Sequence, residues 1–100
     1  MILNTKKELV NLKGEPIKEA DNTPVTLGYA LSNILLTNDA GGKMKLFILA
    51  KKCFESKTVD LDASDLNLVK EAVKTTKIYN ALIAGQIELI LEDAKEDKQK

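Results

Sequence analysis

Thr26-Leu27-Gly28-Tyr29-Ala30-Leu31-Ser32-Asn33-Ile34-Leu35-Leu36-Thr37 is the stretch that decides how this chain folds. Leu27, Tyr29, Ala30, Leu31, Ile34, Leu35 and Leu36 recur with helical spacing. Thr26 stands where an N-cap belongs, because its hydroxyl can accept one of the amide hydrogens that the first helical turn leaves unpaired. Asn38-Asp39-Ala40-Gly41-Gly42 is a stop and turn, so the helix is expected to end near Thr37. Such a helix is stable only when its apolar face lies on something.

Towards the C-terminus, Lys43 to Ser56 reads as a second helix. Leu46, Leu49, Ala50 and Cys53 follow an i, i+3, i+4, i+7 pattern, and Met44, Phe47, Ile48 and Phe54 widen the apolar face beyond one stripe. A helix apolar over so much of its circumference is expected at the centre of the fold. Thr58 to Leu61 is a short extended link. Asp62 or Ser64 caps a third helix from about Asp65 to Thr75, with Leu66, Val69, Ala72 and Val73 inward. A fourth helix is expected from about Tyr79 to Ala94. Gly85 inside it costs about 1 kcal/mol relative to alanine, and close approach of another backbone is the expected compensation.

Towards the N-terminus, Glu8 to Leu12 and Ile17-Lys18 flank Lys13-Gly14-Glu15-Pro16, the pattern of a hairpin turn. Asp21-Asn22-Thr23-Pro24 is a second turn cluster. No internal repeat is read. The expected fold class is α+β, mostly α: an N-terminal β-hairpin packed on a bundle of about four short helices. One globular domain covers residues 1–94, and residues 95–100 are a polar tail.

Composition narrows the chemistry. The 100 residues contain no histidine, which removes the commonest base near neutral pH and the commonest transition-metal ligand. Cys53 is the single cysteine, so no intrachain disulfide forms, and without histidine it has no partner of the Cys–His kind. Its place on the apolar helix face suits a small core residue. Gly41-Gly42 is too short for a phosphate loop. No enzymatic activity and no cofactor are expected. All 15 basic residues are lysine, which disfavours the planar, two-pronged recognition of guanine or phosphate that arginine provides. Fifteen acids balance them to a net charge of zero, a condition that permits self-association. Neither a signal peptide nor a membrane-length apolar run is read, so a cytoplasmic protein is expected.

Two motifs carry candidate sites. Asp60, Asp62 and Ser64, with Glu71 further on, fall at positions 1, 3, 5 and 12 of an EF-hand calcium loop. Asp65 stands where that loop needs glycine, and Asn67 where it needs an apolar residue. The plainer reading is a capped helix with acids at its positive end. The second motif is charge. Residues 43–57 hold five lysines against one glutamate, whereas residues 58–100 hold six against nine acids. Lys43, Lys45, Lys51 and Lys52 are candidate partner-binding residues, for an acidic protein or a phosphate backbone. The same lysines are also what the solvated side of an amphipathic helix carries, and no aromatic interleaving for base stacking is read. The first and fourth helices have more apolar positions than one stripe needs, which leaves core burial or a dimer or partner interface as their use.

Leu12 to Pro16, Thr26 to Leu31, Lys45 with Leu46 to Ala50, Val59 to Asp62, Leu68 to Lys70 and Gly85-Gln86 together resemble small proteins encoded by tailed phages and prophages. The resemblance spans most of residues 9–91 and consists of fold-making positions. It implies an accessory protein that binds a host or phage protein, as a modulator or anti-defence factor, in the host cytoplasm. No site residue is carried over by it. A small nucleic-acid-associated accessory protein using the lysine-rich helix is the alternative.

Overall fold

The helix that begins after Thr26 runs over Leu27–Leu36 (α1), and Thr26 caps it by accepting a hydrogen bond from the Tyr29 amide at 3.2 Å. In this computed structural model, which describes residues 2–38 and 42–99 and the side chains of the last helix through Glu92, α1 is one of six elements. The others are β1 (Ile2–Asn4), α2 (Lys43–Glu55), β2 (Thr58–Asp60), α3 (Ala63–Thr75) and α4 (Ala81–Gln99). The fold class is therefore α+β, mostly α. Asp39, Ala40 and Gly41 of the expected stop lie outside the described residues.

Local chemistry sets the other helix starts too. The Asp62 carboxylate accepts from the Asp65 amide at 2.7 Å and fixes the start of α3. Asn80 caps α4 by accepting from the Ile83 amide at 3.3 Å. α4 continues to Gln99, beyond the end near Ala94 that its apolar pattern suggested.

The regular sheet pairs the chain's beginning with its middle. β1 and β2 run antiparallel, Leu3 opposite Val59, with both side chains buried and their strand neighbours outward. The expected hairpin between residues 8 and 18 is present as an isolated antiparallel bridge between Val10 and Pro16, and a third arm completes it. The Leu9 amide donates to the Val25 carbonyl (2.9 Å), the Val25 amide to Ile17 (2.8 Å) and the Ile17 amide to Leu9 (2.9 Å), closing a ring of three short extended segments. A closed ring leaves fewer strand edges unpaired than a lone hairpin.

This ring corrects the reading that the chain lacks an internal repeat. Leu9, Ile17 and Val25 recur every eight residues, and Pro16 and Pro24 precede the second and third. Each turn has the same hydrogen-bond plan: Asn11 to Glu15 with Gly14 to Asn11, then Glu19 to Thr23 with Asn22 to Glu19. Gly14 and Asn22 occupy equivalent positions with φ of 86° and 74°, a left-handed conformation that glycine and asparagine tolerate best. The octad escaped the sequence reading because only two full copies exist and the second replaces glycine with asparagine.

α1 is the central helix. Leu27, Ala30, Leu31, Ile34 and Leu35 are all buried, while Tyr29 and Leu36, the apolar positions beyond that stripe, are exposed. Gly28 makes its entry possible: a Cβ there would sit 2.3 Å from the Cys53 carbonyl oxygen and 2.8 Å from the Thr5 Cβ. Thr5 in turn donates its amide to the Lys57 carbonyl and its hydroxyl to the Ser56 carbonyl, and its own carbonyl accepts from the Gly28 amide. Three chain segments thus meet at one glycine.

Gly85 behaves differently. Nothing lies within 4 Å of the Cβ it lacks, so the backbone contact expected there does not exist. Its neighbour makes the contact instead. The Gln86 amide oxygen accepts from the Val10 amide at 3.0 Å while its nitrogen donates to the Val10 and Leu82 carbonyls, joining α4 to the ring.

Candidate protein-interaction face

α2 was expected at the centre and is not there. It buries Leu46, Leu49, Ala50 and Cys53 against the rest of the fold, one stripe and no more. The residues that widened its apolar face point to solvent instead: Met44 is 77% exposed, Phe47 57%, Ile48 45% and Phe54 62%. With about 3.6 residues per turn these four fall along one outward strip. The reason is topological. α1 occupies the centre with Leu27, Ala30, Leu31, Ile34 and Leu35, so α2 meets the core from one side only.

The candidate lysines surround this strip rather than forming a patch of their own. Lys51 lies within it, on the Met44 and Ile48 side of the helix. Lys43 and Lys52 lie on opposite flanks, and all three are exposed. Lys45 shares the Lys52 flank but is already engaged, its ammonium 2.8 Å from an Asp65 carboxylate oxygen. That carboxylate raises the Lys45 pKa above the ordinary lysine value, through a hydrogen bond and through its charge. Phe47 and Phe54 stand exposed among these lysines, so aromatic groups are interleaved with charge, contrary to the sequence reading.

The strip's N-terminal end opens on a depression of about 330 Å³ bordered by Leu35, Leu36, Leu46 and Phe47. Its C-terminal end, at Phe54, borders a larger cleft of about 780 Å³ beneath the second turn of the ring. Glu19 and Asp21 line that cleft, and each carboxylate is already an acceptor. The Tyr29 hydroxyl donates to Glu19, which raises the tyrosine's pKa, and the Thr23 hydroxyl and amide donate to Asp21, which lowers the aspartate's. Cys53 touches the cleft but is buried, and burial pushes its thiol up to about 11, so little thiolate forms near neutral pH.

The calcium-loop spacing does not assemble a site. Asp60 ends β2, Asp62 is occupied as a helix cap, and Ser64 to Glu71 are wound into α3, where a chelating loop would have to curl around an ion. Among the described residues no group of three or more histidines, cysteines or acids could hold a metal ion. Elsewhere, exposed apolar residues are scattered singly: Leu12 on a turn, Ile2 on β1, Ile78 before α4 and Leu89 on α4. Among the described residues no helix is long and apolar enough to cross a membrane.

Compared with known proteins, the chain matches no family model, no curated protein and no solved structure.

Proposed function

We propose that this chain is a non-enzymatic accessory protein of the phage and prophage type that binds a host or phage protein in the host cytoplasm, as a modulator or anti-defence factor. One observation carries the binding part of that reading: Met44, Phe47, Ile48 and Phe54 stay exposed along one side of a helix whose other side is fully engaged. Contiguous exposed apolar surface is uncommon on a small monomer and marks places where another molecule excludes water. The phage character rests on the resemblance described from the sequence. Absence of catalysis is supported by the lack of histidine and by a thiol held protonated, with the cleft carboxylates already hydrogen-bonded.

The second reading is nucleic-acid association through Lys43, Lys51 and Lys52, now joined by exposed Phe47 and Phe54, on which bases could stack. The two are separated by purifying the tagged protein from bacterial lysate with and without nuclease. One stoichiometric protein that survives high salt and nuclease is the expected outcome. Recovery of nucleic acid, with binding that falls steeply as salt rises, would replace the first reading with the second.

A further inference from the structure

Resting on the protein-binding reading, we propose that the outward face of α2 seats an amphipathic helix of a partner protein whose apolar stripe is flanked by carboxylates. Shape and charge together choose that occupant. Met44 to Phe54 spans about 15 Å of helix at 1.5 Å per residue, the length over which two crossing or parallel helices touch. The depression beside Leu36 and Phe47 takes an anchoring side chain at one end of that line. Paired apolar residues three and four apart on the partner would match the spacing of Met44, Phe47 and Ile48.

Charge then sorts the possible occupants. Among the described residues Lys43, Lys51 and Lys52 make no ion pair, and Glu55 is the only acid on the helix. A partner bringing carboxylates on both flanks of its stripe pairs Lys43 and Lys52 as the strip is desolvated. A second copy of this chain would set the same lysines against one another, which disfavours a symmetric α2 contact. A nucleic acid would satisfy the lysines but place Met44 and Ile48 against a polar backbone.

The test uses the full-length protein carrying the photoreactive residue benzoyl-phenylalanine at Met44, Phe47, Leu12 or Leu89, expressed in bacterial cells and irradiated. The first two positions are expected to crosslink to one protein, at a peptide with apolar residues at helical spacing between aspartates or glutamates. Reversing Lys43→Glu together with Lys52→Glu should cut that crosslink at least tenfold. Crosslinks from Leu12 or Leu89 alone would leave the protein-binding reading standing and sink the assignment to α2. Crosslinks from Met44 and Phe47 to nucleic acid, to a second copy, or to a peptide without flanking acids would overturn the proposal. No crosslinked protein from any of the four positions would overturn both readings.

Discussion

α1 and α2 are neighbours in sequence, pack on each other and each carry more apolar positions than one stripe needs. But α1 has no charged residue while α2 has four lysines and a glutamate, and they end in different environments. α1 is surrounded: α2 and α3 pack against it, and the turn at Thr5 closes over its start. α2 touches α1 and β2 and leaves its other side in water, with four large apolar side chains on it. Apolar content fixes how much surface a helix could bury, but neighbours fix how much it does bury. A surplus used inside is core, and one left outside is a place for another molecule.

The sharpest way to break this contrast is at the entry of α1. Gly28→Ala forces a Cβ against two backbone-anchored neighbours, and should destabilise the protein by about 3 kcal/mol. In a domain of this size that lowers the melting temperature by more than about 10 °C. A near-native melting temperature would mean that Thr5 and Cys53 can retreat, and that α1 is less tightly enclosed than its burial indicates. Leu31→Ala, at a fully buried position, should cost about 2–5 kcal/mol in chemical denaturation. Phe47→Ser on the exposed strip should stay within about 1 kcal/mol of the parent while weakening partner capture. Equal losses from the two would erase the distinction between the helices.

Cys53, on the buried side of α2, extends the comparison to pH. Its folded thiol titrates at about 11 instead of an ordinary 9.0, so the folded state favours the protonated form. The resulting stability is fully present below pH 9 and is lost as pH rises from 9 towards 11, on the order of 2 kcal/mol in all. Denaturation midpoints that are flat across that window would show that the thiol is less enclosed. Labelling with a thiol reagent at pH 8 should likewise wait for unfolding.

Smaller effects are expected where α4 meets the ring. Gln86→Ala removes the side chain that pairs both polar groups of Val10 and should cost about 1–3 kcal/mol. Next to it, Gly85→Ala should stabilise by up to about 1 kcal/mol, because the space for a Cβ is empty and alanine favours the helix. A loss of stability there would reveal a close contact of the kind first expected.

How far the sequence could be read depended on the range of the interaction involved. The cap at Thr26 and the limits of α2 lie within a few residues of the atoms that create them, and each was legible, whereas the cap of α3 was legible only as Asp62 or Ser64. The candidate face was half legible. Lys43, Lys45, Lys51 and Lys52 stood out by charge, but the exposed strip of Met44, Phe47, Ile48 and Phe54 looked like core. A residue pattern states that a side chain is apolar and does not state whether a neighbour covers it. The octad of the ring was present in the letters as Pro16 and Pro24, eight residues apart, and its meaning appeared only when three amides were seen to close on three carbonyls.

The sequence by itself thus determined which segments become helices and that Thr26 caps the first of them, because capping and helical periodicity are settled by contacts a turn or two away. Only the tertiary structure decided that Leu3 pairs with Val59, that Gly28 is needed for three segments to meet, and that Met44, Phe47, Ile48 and Phe54 of α2 stay outside the core. Those outcomes depend on residues tens of positions apart competing for one limited core, and a local pattern does not record who wins that competition.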